Sequence, residues 1–411
     1  MSEEKKLKRT LGLAECIFFG VGSILGAGIY TLIGKVAGFA GNLTWLAFLI
    51  ASITALCTAF SYAELSAAYP KAGGEYVYAK HALGKKMGVF LGLMISTNGI
   101  ISGATVAVGF AGYFIDLIPV SLLIASLAII LLIFLVNVSG IRESSIVNII
   151  FTVIEAGGLI LVIIAAVPFL GEVNITEMPS GGTATLLQAA ALSFFAYIGF
   201  EEIVKLAEET KNPEKNIPRA LFSASFIVMI VYAAVAISAV NAIPWGELAK
   251  SNSPLADIVD RRFGAAGALA ITIIALFSTS NTILSNMLGS SRVILNISEE
   301  TTFLKRFAKV SKKRKTPVAA LILILIVMSA FALIGEIEII AMIANFFIFI
   351  TFLFVNLSVI LLRISKSKLE RPYRIPFNIN NIPVISIIGI LLTFLLMAFN
   401  IYSLLTSGFK L

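Results

Sequence analysis

Gly20-Val-Gly-Ser-Ile-Leu-Gly-Ala-Gly-Ile-Tyr30 is the stretch that decides the fold of this chain. It lies within an apolar segment, about residues 13–36, that is long enough to cross a bilayer as a helix. Its glycines weaken that helix, because a glycine in a helix interior costs about 0.5–1 kcal/mol relative to alanine. The pattern predicts either a helix that opens near mid-membrane or a helix that packs closely against another backbone.

The composition of the whole chain is that of an integral membrane protein. Of its 411 residues, 58% are hydrophobic and 13% are charged, and the mean hydropathy is +0.98. Apolar runs long enough to cross a bilayer recur along the sequence, and we count eleven of them. Cys16 and Cys57 lie inside such runs, which indicates buried apolar residues rather than a disulfide or metal ligands. His81 is the only histidine, so histidine-based metal sites and catalytic triads are excluded.

The positive charge of the chain follows the alternation of its loops. The net charge is +8. If the N-terminus is cytoplasmic, all of the 31 Lys and Arg residues face inward except Lys35, Lys250, Arg261, Arg262 and Lys410. This bias predicts a multi-pass protein of the cell membrane with a cytoplasmic N-terminus and, after eleven crossings, an external C-terminus. The charge is thereby explained without a nucleic-acid partner.

A second interrupted segment lies in the other half of the chain. In Leu192-Ser-Phe-Phe-Ala-Tyr-Ile-Gly-Phe-Glu-Glu-Ile203, one glycine and two carboxylates break an apolar run. The two interrupted segments each open a block of five, and because five is odd the blocks run in opposite orientations. This pattern predicts an inverted-repeat transporter with its site near mid-membrane. We predict one transporter domain over residues 1–411, with repeats at about 12–167 and 184–362 and an extra helix at about 383–405.

Four spaced motifs give the chain a resemblance to a known family. They are Gly22-Ser-Ile-Leu-Gly-Ala-Gly-Ile29, the stretch from Tyr62 to Tyr78, the stretch from Phe194 to Arg219, and Ala275-Leu-Phe-Ser-Thr-Ser-Asn281 with the nearby Gly289-Ser-Ser-Arg292. In this order they resemble the amino acid–polyamine–organocation (APC) transporters over nearly the full chain. Most members have twelve crossings, and the eleven counted here leave both repeats complete. The resemblance implies an all-α membrane fold with five-plus-five inverted repeats, broken helices 1 and 6, and secondary active transport of amino acids or similar amines by alternating access, not an enzyme.

The resemblance also implies a substrate site at the two breaks. Free N–H groups at the half-helix in segment 1 attract a carboxylate, and carbonyls freed in segment 6 accept an ammonium group. Phe195 matches an aromatic position that closes over the substrate, although a packed core ring is the alternative. Glu201 matches an acidic position that senses protons or meets a cationic substrate, or it pairs with Lys205. The predicted substrate-binding residues are Ser23, Gly26, Ala27, Gly28, Phe195, Ala196, Ile198 and Glu201.

Glu155 lies near the middle of segment 5, about residues 144–167. A charge at mid-helix costs about 2.5–3.5 kcal/mol on insertion scales, so this carboxyl group is expected to be neutral unless a cation or donors compensate. Three roles remain open: a proton carrier, a sodium ligand together with segment-1 carbonyls and the hydroxyl of Ser278 or Ser280, and a neutral structural group. By contrast, Glu15 and Glu64 lie toward the inner ends of their segments, where solvation at the interface accounts for them.

These observations predict a function in order of preference. The first is proton-coupled symport or exchange of an amino acid, the second is sodium-coupled symport, and the third is an amino acid receptor on the same fold that moves nothing. The predicted partners are a small amino acid and the lipid bilayer. No catalytic residue, no metal and no cofactor beyond the coupling ion is predicted, and the sequence sets no oligomeric state.

Overall fold

The computed structural model describes residues 9–71, 73–139, 145–301, 305–311 and 316–406. These residues are almost entirely helical, and the two-stranded sheet among them pairs β1 (Asn378–Ile379) with β2 (Ile382–Pro383). The helices are α1 (Leu13–Leu25), α2 (Ala27–Ala40), α3 (Thr44–Ala68), α4 (Gly74–Leu83), α5 (Lys85–Ile115), α6 (Leu122–Ser139), α7 (Ser145–Ala166), α8 (Gly182–Ser193), α9 (Pro213–Ala242), α10 (Trp245–Leu248), α11 (Pro254–Glu300), α12 (Val318–Ala332), α13 (Ile337–Ser365) and α14 (Val384–Thr406).

The helices agree with the eleven predicted crossings. Within the described residues, nine stretches are long and apolar enough to span a membrane. One of them, Ala27–Ala68, is 42 residues long and contains both α2 and α3, so it is too long for one crossing. Two shorter apolar helices, Leu13–Leu25 and Val318–Ala332, supply the remaining spans, the first as one half of a broken segment and the second as a crossing of its own. The predicted all-α membrane fold with interruptions in segments 1 and 6 is confirmed.

Part of the predicted membrane orientation rests on residues that the structure does not describe. Residues 1–8 and 407–411 lie outside the described residues, as does Arg142 between α6 and α7. The helix α4, which joins α3 to α5, has only 10 residues and crosses nothing.

Close backbone approaches lock the connection between α9 and α11 onto the helices beneath it. A β-carbon on Gly34 of α2 would lie 2.2 Å from the carbonyl oxygen of Leu248. One on Gly112 of α5 would lie 2.6 Å from the carbonyl oxygen of Asn252. Real β-carbons essentially never approach another atom that closely, so glycine at both positions permits this contact.

A buried ion pair ties α3 to α13 at the opposite end of the molecule. Glu64 and Arg363 are 2% and 1% exposed, and Arg363 Nε donates to Glu64 Oε1 at 2.8 Å while its Nη2 donates to Oε2. The backbone N–H of Ile375 donates to the same carboxylate at 2.9 Å, and Arg371 Nε lies 3.3 Å from it. The interpretation of Glu64 as a solvated interfacial residue is therefore wrong, because the loop after α13 closes over it.

Candidate functional site

The first break consists of a single residue. The helix α1 ends at Leu25 and α2 begins at Ala27, and Gly26 between them has φ −48° and ψ −164°. Gly26 has no side chain with which to cap α2. The first N–H groups of a helix have no partner within the helix, and they carry the positive end of its dipole. The turn at Gly26 therefore presents an anion-attracting end inside the membrane-spanning part of the chain.

The second break is longer and turns on a glycine. After α8, residues Phe194–Tyr197 form a 3₁₀ turn, Ile198 is extended, and a second 3₁₀ stretch covers Phe200–Leu206. Gly199 between the two stretches has φ +125°, a conformation that side chains other than hydrogen rarely tolerate. The regular α-helical ladder is absent over this stretch, which frees backbone carbonyl groups near Ala196.

The two breaks lie directly against each other. A β-carbon on Gly28 would be 2.6 Å from Cα of Ala196, and one on Gly199 would be 2.3 Å from the carbonyl oxygen of Ser23. Both distances are shorter than real β-carbon contacts, so the backbones meet without intervening side chains. The structure thus brings Ser23 and Gly28 of the first break together with Ala196 of the second.

The other residues predicted around the second break differ in their surroundings. Phe195 is buried and Ile198 is half-buried. The ring of the neighbouring Phe194 packs against that of Phe349, with the two ring centroids 4.7 Å apart. Glu201 is buried, and its Oε2 accepts a hydrogen bond of 2.8 Å from the N–H of Gly199. The carboxyl group of Glu201 therefore stabilises the backbone turn of the second break. Lys205 pairs with Glu202 rather than with Glu201.

Glu155 and Ser278 meet beside the first break. Glu155 of α7 is 2% exposed, and the hydroxyl of the fully buried Ser278 of α11 lies beside its carboxyl group. Among the residues that the structure describes, neither Glu155 Oε1 nor Ser278 Oγ has a hydrogen-bond partner. The backbone carbonyl of Glu155 accepts a hydrogen bond of 2.7 Å from the hydroxyl of Tyr30 of α2, which fixes α7 against α2.

Ser280 lies on a different side of α11. Two residues along a helix correspond to about 200° of rotation, so Ser278 and Ser280 cannot face the same neighbour. The Ser280 hydroxyl donates to the carbonyl of Leu276 at 2.7 Å, and the residue lines a cavity of about 320 Å³ with Ile273 and Phe277, both of which are exposed. The structure therefore leaves Ser280 out of the group around Glu155.

Buried tyrosines at the breaks are residues that the sequence analysis missed. The hydroxyl of Tyr232 in α9 donates to the carbonyl of Ile24 at 2.6 Å and lies 3.1 Å from that of Ala196. One hydroxyl thus lies within hydrogen-bond distance of a freed carbonyl from each break. Tyr113 of α5 donates to the carbonyl of Tyr30 at 2.8 Å. A buried tyrosine needs a partner for its hydroxyl, so tyrosines inside apolar runs are the signal that could have found them.

Two further polar residues were missed. Thr282 of α11 accepts a hydrogen bond of 3.3 Å from the N–H of Ala27. Glu75 of the connector α4 is buried, and its Oε1 accepts a hydrogen bond of 2.8 Å from Tyr62. Burial raises the pKa of the Glu75 carboxyl group, and the nearby charge of Lys205 opposes that rise. Glu75 lies within the stretch from Tyr62 to Tyr78, and Thr282 directly follows the Ala275–Asn281 motif, but the resemblance implied a role for neither residue.

Sequence comparison with known proteins assigns this chain to a family. The family model for amino acid permeases matches residues 11–407. The branched-chain amino acid permease BcaP of Bacillus subtilis is 28% identical over 95% of this chain and 88% of its own length, and the methylthioribose transporter of the same organism is 28% identical over 96% and 89%. Cationic amino acid transporter 4 of Mus musculus is 27% identical over 89% of this chain and 61% of its own length. The chain belongs to the amino acid permease family of the APC superfamily, whose members are multi-pass membrane transporters and not enzymes.

Proposed function

We propose that this amino acid transporter works by alternating access, with its substrate bound by backbone groups of the two breaks and Glu155 as the proton carrier. The observation that carries the proposal is the unpartnered oxygen of Glu155, which is buried beside the unpartnered hydroxyl of Ser278. In such a place a carboxylate is costly and a protonated carboxyl group is not, because the acidic proton can be donated to the serine oxygen.

The backbone at the breaks suits a zwitterion. The N–H groups of Ala27 and Gly28 lie at the positive end of α2 and suit the substrate carboxylate. The carbonyls of Phe195, Ala196 and Ile198, in the segment without regular helix, suit its ammonium group. Recognition of this kind needs no charged side chain of the protein. It selects for the carboxylate and ammonium groups that all amino acids share.

The arrangement favours a proton over sodium as the coupling ion. A sodium ion needs a shell of several oxygen ligands, and the predicted shell included Ser278 or Ser280. Ser280 bonds to its own helix and lines an outer cavity instead. A proton needs one acceptor, which Ser278 provides. Sodium-coupled symport remains the second candidate because the carbonyls at the first break are also near.

We further propose the arrangement of the whole chain in the membrane. Residues 12–167 and 184–362 form two inverted repeats within one transporter domain, with α14 as an extra helix. The N-terminus lies in the cytoplasm and the C-terminus outside the cell membrane. The distribution of Lys and Arg over the loops supports this orientation.

Substitution of Glu155 by glutamine tests the proposed coupling. Glutamine keeps the size of the side chain and resembles the protonated acid, but it cannot release a proton. With one proton per amino acid, an inward gradient of one pH unit supplies about 1.4 kcal/mol and supports about tenfold accumulation. We expect wild-type proteoliposomes to accumulate the amino acid in this way, and Glu155→Gln to exchange it without accumulation. Uptake of labelled amino acids is measured with and without the pH gradient and with and without sodium.

Glu172→Gln serves as the control, because Glu172 lies in an exposed ion pair with Arg261 and should leave accumulation unchanged. If Glu155→Gln accumulates substrate as well as wild type does, Glu155 is structural and the proposed coupling is wrong. If wild-type uptake requires sodium and the variant loses that requirement, Glu155 is a sodium ligand.

A further inference from the structure

The half-helix α2 receives its N-terminal cap from a helix far away in the chain. Helix N-termini are usually capped by a Ser, Thr, Asp or Asn side chain at the residue just before the helix. That residue here is Gly26, which has no side chain. Instead, Oγ1 of Thr282 in α11, 255 residues distant, accepts a hydrogen bond of 3.3 Å from the N–H of Ala27. Thr282 therefore satisfies the N–H group to which the proposed function assigns the substrate carboxylate.

Gly26 is what allows this cap to form. A β-carbon at position 26 would lie 2.8 Å from Oγ1 of Thr282, so even alanine would push the hydroxyl away. The same hydroxyl donates to the carbonyl of Ser278 at 3.0 Å, which holds it on the face of α11 that is turned toward the first break. The cap is thus a defined contact between two separate helices.

We propose that the Thr282 hydroxyl is a placeholder for the substrate carboxylate. In the empty transporter the hydroxyl accepts the hydrogen bond from the Ala27 N–H. When the substrate binds, its carboxylate displaces the hydroxyl and accepts that hydrogen bond instead. The inference rests on the proposed function, because it concerns the same site. An N–H group serves one strong acceptor at a time. A carboxylate forms shorter and roughly twofold stronger hydrogen bonds than a neutral hydroxyl does, and 3.3 Å is long for the bond that it replaces.

A second observation on the same face of α11 supports a role in ligand binding. Ser278 lies one helical turn before Thr282, is fully buried and has an unpartnered hydroxyl beside Glu155. One face of α11 thereby contacts the proposed carboxylate site through Thr282 and the proposed proton site through Ser278. Substrate binding would free α2 from α11 at the point where the proton carrier touches the same helix, and this links the two events.

The cap itself can be tested without any ligand. Thr282→Val keeps the branched shape and removes the hydroxyl. In the purified, ligand-free protein, we expect amide hydrogen exchange over residues 26–30 to become about fivefold faster, the equivalent of one neutral hydrogen bond. Thr279→Val is the matched control, because within the described residues the Thr279 hydroxyl bonds only to the carbonyls of Ala275 and Leu276 in its own helix. Unchanged exchange in Thr282→Val would show that the cap does not form.

The competition is tested with amino acids and with their decarboxylated forms. L-Leucine, L-alanine and L-arginine are titrated in parallel with 3-methylbutylamine, ethylamine and agmatine. For each amino acid that the wild-type protein binds, we expect Thr282→Val to bind it about three- to tenfold more tightly than wild type does. The reason is that the carboxylate no longer displaces a hydroxyl in the variant. Binding of the amines should not change, and Thr282→Ser should match wild type. Equal or weaker amino acid binding by Thr282→Val overturns the placeholder role.

The two arms separate the inference from the function on which it rests. Wild-type protein that binds none of the three amino acids contradicts the proposed substrate site, and amide exchange then still decides whether the cap exists. Wild-type binding with unaltered affinity in Thr282→Val leaves the transporter function standing and refutes the placeholder.

Discussion

Replacing Gly199 by alanine is expected to abolish transport without preventing membrane insertion. Gly199 has φ +125°, and its added β-carbon would lie 2.3 Å from the carbonyl oxygen of Ser23, a backbone atom that cannot rotate away. The two breaks would have to move apart, which separates the groups proposed to hold the carboxylate from those proposed to hold the ammonium. Misplacement by about 1 Å costs about 100-fold in reactions that depend on positioning, and we expect a loss of that size in initial uptake.

Gly157→Ala provides the matched control for this loss. Gly157 lies in α7, two residues from Glu155, and an added β-carbon meets open space there. Uptake is measured in proteoliposomes and divided by the amount of monodisperse protein, so that folding defects do not count as transport defects. Wild-type uptake by Gly199→Ala would mean that contact between the breaks is not needed for transport.

Replacing Glu64 by glutamine is expected to cause the largest loss of stability. The carboxylate neutralises the buried Arg363 and accepts the N–H of Ile375, so its removal leaves a buried cation without its counter-charge. Removing one partner of a buried ion pair typically costs about 3–5 kcal/mol. We expect a clear drop in the midpoint of thermal unfolding of the purified protein.

Two comparisons decide whether burial of the pair causes this drop. Glu172→Gln breaks a pair whose side chains are 50% and 41% exposed, and such pairs contribute about 0–1 kcal/mol. The double variant Glu64→Leu with Arg363→Met removes both charges and should recover part of the loss. A Glu64→Gln protein as stable as Glu172→Gln would contradict the clamp between α3 and α13.

The breaks could be predicted from the sequence because their causes are local. Glycines around residue 26 and the glycine and carboxylates after residue 198 weaken two helices whatever surrounds them, and the structure has a turn at Gly26 and another at Gly199. The burial of Glu155 followed in the same way from its position in the middle of an apolar run.

What the sequence could not show depends on distant partners. Glu64 is buried because Arg363 and Ile375, 299 and 311 residues away, reach it, and no pattern around position 64 indicates this. Thr282 and Tyr232 acquire their roles in the same way, from contacts with the first break. The choice between Ser278 and Ser280 is different, since helical periodicity alone allows only one of them to face Glu155.

Counterflow into proteoliposomes tests the central claim most directly. Purified protein is reconstituted into vesicles loaded with one unlabelled L-amino acid at a time, and entry of the same labelled amino acid is followed. We expect at least one amino acid to drive counterflow, and neither its decarboxylated amine nor its deaminated acid to do so, because both ends of the zwitterion are held at the breaks. Folded protein that supports no counterflow, or an amine that exchanges as fast as its parent amino acid, would contradict the proposed site.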